Sequence, residues 1–151
     1  MQSITIQSDT ENLPQVEALL SHFCDQSRID NYYATISVAV MQAVENAIVH
    51  GNLSQPDKQV TVCADYCPGG VCFVVSDQGQ GFDHTRYTDL PQADNPGTGL
   101  FIMRSLADRV VFADGGRTVR LEFFILGIDS TRARSRSAVL QRFYATKMVD
   151  A

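Results

Sequence analysis

Two spacings of apolar residues divide this chain. Ser3 to Gln7 alternates apolar and polar positions in steps of two, the mark of a half-buried strand. Val16, Leu19, Leu20 and Phe23 then recur at helical spacing behind Asn12, a candidate N-cap, with Leu13 and Pro14 in the first turn. Asp30 or Asn31 is the next candidate cap. Behind it Ile36, Val40, Ala43, Val44, Ala47 and Ile48 mark one apolar stripe that predicts a second helix ending at Gly51.

Gln59 to Tyr66 and Val71 to Ser76 read as strands around Cys67-Pro68-Gly69-Gly70, which has hairpin chemistry. Residues 83–97 carry Pro91, Pro96 and Gly97 and few apolar groups, so a loop is expected there, long enough to suspect function. Gly99 to Leu106 predicts a short helix. Arg109 to Phe112 and Thr118 to Ile125 predict strands joined by a tight turn at Asp114-Gly115-Gly116. The order β-α-α-β-β-loop-α-β-β, dominated by hairpins, predicts an α+β two-layer sandwich, with a mixed, mostly antiparallel sheet and helices on one face. Thr131 to Met148 fits either a final helix or an extended arm.

A chain of 151 residues is one domain with room for a real core. Its net charge of -5 argues on electrostatic grounds against nucleic acid as a partner. The charge is uneven, however. Residues 127–151 hold five basic residues against two acidic, a net of +3, and the rest holds 7 against 15, a net of -8. The Arg132-x-Arg134-x-Arg136 run fits a solvated face or a dock for an acidic partner. No apolar run reaches membrane-spanning length, and Met1 to Ile6 lacks the features of a signal peptide. A cytoplasmic location is the expectation. The four cysteines, at 24, 63, 67 and 72, lack zinc spacing and read as small buried hydrophobes, with Cys67 in a turn.

Three short strings carry candidate chemistry, in the order Glu45-Asn46-Ala47-Ile48-Val49-His50-Gly51, Asp77-Gln78-Gly79-Gln80-Gly81-Phe82 and Gly97-Thr98-Gly99-Leu100. Gln42 and Asn46 are four apart on a face opposite the apolar stripe, with His50 one turn on. An Asn oxygen is a hard neutral ligand suited to a Mg2+ that keeps waters and bridges phosphates. Asp77 ends an apolar strand, where a carboxylate can accept a hydrogen bond from an exocyclic amine. Gly79 and Gly81 let backbone approach a flat ring, and Gly97, Thr98 and Gly99 put backbone N–H groups at a helix start, a cradle for phosphate. Taken singly, each string also fits an ordinary helix end, an Asp-x-Gly turn or a loop-to-helix junction.

Together the strings resemble the N, G1 and G2 boxes of the GHKL ATPases, which share the Bergerat ATP-binding fold. The resemblance is strongest to the anti-sigma-factor serine/threonine protein kinases of bacterial partner-switching systems. Ala43 to Gly51 is similar to their N box, Asp77 to Phe82 to G1, Gly97 to Asp108 to G2, and Gly116 to Leu121 to their last strand. The resemblance spans residues 1–126 and leaves 127–151 as a basic C-terminal tail or helix. It implies ATP and Mg2+ as cofactors, with Asn46 holding the metal and Asp77 reading adenine with Thr118 behind it. Gly79 and Gly81 would pack on the nucleotide. Gly97, Thr98, Gly99 and Leu100 would meet the phosphates with His50. A sigma factor and an anti-sigma antagonist bearing a phosphorylatable serine are the implied partners, and homodimers are common in the family.

One departure matters. The family's general base is a Glu four residues before the metal-binding Asn, and this chain has Gln42 there. An amide accepts no proton from an attacking hydroxyl, and losing a positioned base removes about 10²–10⁴-fold in rate. Glu45 is the candidate substitute, about 60° around the helix from Gln42. Between Asp83 and Arg104 the only basic residue is Arg86, so little in this segment supports a lid cation on the terminal phosphate. Three readings follow: an ATP-binding anti-sigma regulator with serine kinase activity on its antagonist, a non-catalytic nucleotide-gated binding module, or a stand-alone histidine-kinase-type ATPase domain.

Overall fold

The computed structural model describes residues 1–81, 83, 96–125 and 139–145. Five strands, β1 (Gln2–Gln7), β2 (Gln59–Cys67), β3 (Gly70–Ser76), β4 (Arg109–Ala113) and β5 (Thr118–Phe124), form one sheet in the order β1-β2-β3-β5-β4. All four ladders are antiparallel. The register follows from the alternation. Ile6 opposes Val60, Val62 opposes Val75, Phe73 opposes Leu121, and Val119 opposes Phe112. One face of the sheet is therefore apolar across all five strands, and the helices cover it.

Those helices are α1 (Leu13–Gln26), α2 (Tyr33–Asn46) and α3 (Pro96–Leu106). Helix α2 lies between the other two. Phe73 is fully buried at the centre, edge-on to Phe23 of α1 at 5.6 Å and to Phe123 of β5 at 5.8 Å. A fourth helical segment, α4 (residues 139–145), packs Val139, Leu140 and Phe143 against this core. Of the two readings open for residues 131–148, a helix is present in that part, and the remainder lies outside the described residues. So does most of the loop expected over 83–97, Arg86 included.

Helix starts differ from the sequence reading. A 3₁₀ turn at Thr10–Asn12 precedes α1, and its cap is Asp9, whose carboxylate accepts from Glu11 N at 2.9 Å; Asn12 makes no side-chain cap bond. A second 3₁₀ turn, Asp30–Tyr32, precedes α2. Helix α3 begins at Pro96, which is favourable at a first turn, so Gly97 to Leu100 lie inside the helix. Cys67 is the last residue of β2, paired with Gly70, and not in the turn itself.

The end of α2 positions the site. The chain continues as a π-helical turn, Ala47–Gly51, in which Asn52 N donates to Ala47 O at 2.8 Å. The left-handed residues that reverse the chain are Leu53 and Ser54, at φ 54° and 55°, and not Gly51. Gly51 is small for another reason, given below.

Candidate functional site

Asn46 ends α2 where α3 begins its first turn beside it. A Cβ on Gly99 would stand 2.8 Å from Asn46 Nδ2 and 3.1 Å from Oδ1, so any side chain there would push the Asn46 amide aside. Gln42, Glu45, Asn46, Val49, His50, Thr98 and Gly99 line one cavity of about 220 Å³. Two motifs far apart in sequence thus face each other across a polar recess. Gly97, Thr98 and Gly99 belong to the first turn of α3, where backbone N–H groups lack intrahelical acceptors and carry the positive end of the helix dipole. Leu100 is fully buried in the core, so it anchors this turn without facing the recess. Burial holds the His50 imidazole below its ordinary pKa.

Asn46 also belongs to a second, narrower crevice, shared with Ala43, Ala47, Val75, Asp77, Met103, Phe112, Gly116, Arg117 and Val119. Here Asp77 leaves the end of β3. Its N–H donates to Arg117 O at 2.9 Å, and its Oδ1 accepts from Gly79 N at 2.8 Å. Burial raises the Asp77 carboxyl above the ordinary range, opposed by the Gly79 N–H and by the charges of Arg117 and Lys58. The Cα of Gly51 lies directly against that carboxylate, and a Cβ there would overlap Oδ2 and stand 3.0 Å from Oδ1. Gly79 approaches the Gly51 carbonyl in the same way. Gly81, at φ 81°, passes against the Gly115 carbonyl. Beyond it opens a wide cavity of about 460 Å³, lined by Gln80, Gly81, Asp83, Phe112, Ala113, Gly115 and Gly116.

Thr118 is placed differently from the other candidates. Its hydroxyl pairs with Ser76 Oγ at 3.1 Å, one residue before Asp77, and its position in the register puts it on the sheet face away from the crevice. It ties β5 to β3 behind the carboxylate.

The sequence reading missed Asn52. This fully buried amide accepts from Gln78 N at 2.8 Å and donates to Ser8 Oγ at 2.7 Å and Gln59 O at 2.9 Å. Gln78 in turn accepts from Gln59 N through its side chain at 2.8 Å. The segment that carries Asp77 is therefore pinned by hydrogen bonds to β2 and to the turn after α2. An Asn directly after the helical turn Ala47–Gly51, where the chain must reverse direction, was the available signal. Arg117 and Phe112, both on the crevice wall, were missed as well.

The donor set fits a phosphate-bridged Mg2+. Such an ion takes one or two protein oxygens and fills its shell with water and phosphate oxygens. Asn46 lines the recess beside a glycine that leaves room for those ligands, and among the described residues no cluster of three or more His, Cys, Asp or Glu could hold a metal unaided.

A family model described as "Histidine kinase-like ATPase domain" matches residues 6–123. The chain is 33% identical over 81 residues to an anti-sigma F factor of Halalkalibacterium halodurans, covering 50% of this chain and 56% of that protein. It is 34% identical over 93 residues to an anti-sigma F factor of Heyndrickxia coagulans, covering 55% and 63%. It is 31% identical over 100 residues to the serine-protein kinase RsbW of Staphylococcus epidermidis, covering 58% and 63%. The matches span little more than half the length of these curated relatives. No helix among the described residues is long and apolar enough to cross a membrane.

Proposed function

Because this chain belongs to the histidine kinase-like ATPase family, we propose that it is an anti-sigma regulator whose hold on a sigma factor depends on bound ATP and Mg2+, and whose second partner is an antagonist protein bearing a phosphorylatable serine. The observation that carries the reading is the place of Asn46, shared between a polar recess at the start of α3 and a crevice that ends at Asp77. A nucleotide has the same division, with phosphates at one end and a flat base carrying an amine at the other.

In this reading Asp77 accepts a hydrogen bond from the adenine amine, held in place by Gly79 N and backed by Gly51 and the Thr118–Ser76 pair. Gly79 and Gly81 keep the backbone low enough for the base to pack on it. The first turn of α3, with Gly97, Thr98 and Gly99, meets the phosphates through backbone N–H groups, and His50 faces them from the π-helical turn after α2. Asn46 would hold Mg2+, which supplies charge neutralisation to the triphosphate. Residues 1–126 are the ATP-binding unit and 127–151 an appended basic tail. The sigma factor and the serine-bearing protein follow from the names of the relatives, and the antagonist role from the resemblance of the motifs.

Phosphoryl transfer to a serine needs an acceptor for the hydroxyl proton. Gln42 occupies the expected position and its amide cannot serve. Glu45 is the carboxylate on the same cavity wall and takes that role if transfer occurs. Gln42 favours a second reading, a nucleotide-gated binding module without catalysis. Incubation with γ-labelled ATP and a candidate antagonist tests both. Acid-stable phosphoserine supports the kinase, whereas ATP binding with no transfer supports the module. Failure to bind adenine nucleotide would reject both.

A further inference from the structure

His50 belongs to the π-helical turn Ala47–Gly51, one turn beyond Asn46. It lines the recess of about 220 Å³ that Thr98 and Gly99 wall from the side of α3. The residue is half-buried, yet neither ring nitrogen has a hydrogen-bond partner among the described residues. No buried side-chain nitrogen or oxygen among those residues lacks a partner, so both ring nitrogens are reachable by solvent. The recess therefore holds an imidazole with its lone pair unused.

Chemistry sets His50 apart from the other walls. Gln42 and Asn46 present amides, whose nitrogen lone pairs are delocalised. A hydroxyl, on Thr98 or on a partner's serine, must lose its proton as it attacks, and the Gln42 amide cannot take that proton. Glu45 is an anion, and it would face an anionic phosphate. An imidazole has an ordinary pKa of about 6.5, so it is largely uncharged at about pH 8. One of its nitrogens then attacks through a lone pair, with no proton to remove. The missing base that weakens transfer to a hydroxyl is no obstacle to such a nucleophile. The first turn of α3 supplies backbone N–H groups beside the same recess, suited to holding a phosphate near the ring.

We propose that His50 is itself a phosphoryl acceptor, and that the chain transfers the γ-phosphoryl group of ATP to its own imidazole. This reaction rests on the nucleotide binding proposed for the site and needs no partner protein. The unprotonated ring nitrogen attacks the γ-phosphorus. An N–P bond forms, the bond from that phosphorus to the β–γ bridging oxygen breaks, and ADP leaves with the electron pair. The other ring nitrogen keeps its proton, so the phosphorylated ring carries the positive charge. The N–P bond is comparable in energy to the anhydride it replaces, so added ADP reverses the step.

The test incubates the full chain alone with γ-labelled ATP and Mg2+ at about pH 8, beside a titration that measures ATP binding. The expected label is labile to acid, stable to alkali and mapped to residue 50 by digestion. A chase with ADP should remove it and re-form ATP. His50→Gln should carry no label at ATP concentrations that saturate that variant in its own titration. Diethyl pyrocarbonate, which modifies free imidazoles, adds a readout that needs no turnover. It should modify His50 in the free chain, bound ATP should protect that residue, and the exposed His22 should react equally in both cases. Saturable ATP binding with no acid-labile label would overturn the proposal and leave the nucleotide reading intact. So would a label on another residue, such as an alkali-labile acyl phosphate on Glu45. Reaction of His50 with pyrocarbonate that ignores bound ATP would place the ring outside the nucleotide site and overturn the proposal too. No ATP binding would overturn both readings.

Discussion

The Cα of Gly51 sits against the carboxylate of Asp77, so that any side chain at position 51 would occupy the space of Oδ2. A helix end and a strand end, 26 residues apart in sequence, are thereby set at fixed distance. Gly51→Ala must displace the carboxylate or the turn, and overpacking of this kind costs about 1–3 kcal/mol. The expected outcome is a folded protein with adenine-nucleotide affinity reduced by roughly tenfold or more, since each 1.4 kcal/mol is tenfold. Calorimetric titration with ADP, alongside circular dichroism for the fold, checks it; unchanged affinity would separate Asp77 from base recognition.

Asp77 itself couples function to stability. Its folded-state pKa is raised, chiefly by burial. The native state thus holds the proton more tightly than the unfolded chain. Its stabilising contribution is full below the unfolded carboxyl pKa and is lost as pH rises through the folded value. At neutral pH the ionised group is a cost. Asp77→Asn, which keeps an acceptor for Gly79 N, should therefore melt higher than the parent at pH 7, and the difference should vanish in acid. Its ATP affinity should fall by roughly 10–100-fold, the worth of a hydrogen bond to a charged group at 1.5–3 kcal/mol. Thermal melts across pH and a nucleotide titration check the two halves.

Much of this architecture is legible in the residue pattern. The strands follow from the alternation at Ile4, Ile6, Val60, Val62, Phe73, Val75, Val119 and Leu121, because a one-residue slip would turn the whole set outward. The α2 stripe is equally plain. Caps were less so: Asn12 and Asp30 looked like N-caps, but single 3₁₀ turns absorb the chain's entry, and helix propensities say little about such turns. Gly51 invited a left-handed helix end, whereas its role is a contact with a residue brought near only by folding. Asn52 and the outward turn of Thr118 were hidden for the same reason, since a buried hydrogen-bond network depends on partners from three segments.

Asn52→Ala should test that network. It leaves Gln78 N–H, Ser8 and the Gln59 carbonyl without their partner, at about 1–3 kcal/mol for a buried unsatisfied group. Asn52→Asp keeps the acceptor for Gln78 N and loses only the donors. Denaturant unfolding is expected to show both variants destabilised, with nucleotide affinity retained better by Asp than by Ala. Equal affinities would mean that the 77–81 segment does not depend on this amide.

The catalytic question rests on α2. Restoring a carboxylate by Gln42→Glu should raise phosphoryl transfer to a serine-bearing antagonist by about 10²–10⁴-fold if only the base is missing. Glu45→Gln should abolish any transfer that the parent protein shows. No gain from the first substitution would favour a binding module in which ATP occupancy alone governs partner affinity.

The most direct measurement is a titration of the full chain with ATP in the presence and absence of Mg2+, repeated with Asn46→Ala. Saturable binding is expected, strengthened by Mg2+, and weakened at least about tenfold by the substitution, equivalent to about 1.4 kcal/mol. Binding that ignores both Mg2+ and the loss of Asn46, or no binding of adenine nucleotide at all, would contradict the account.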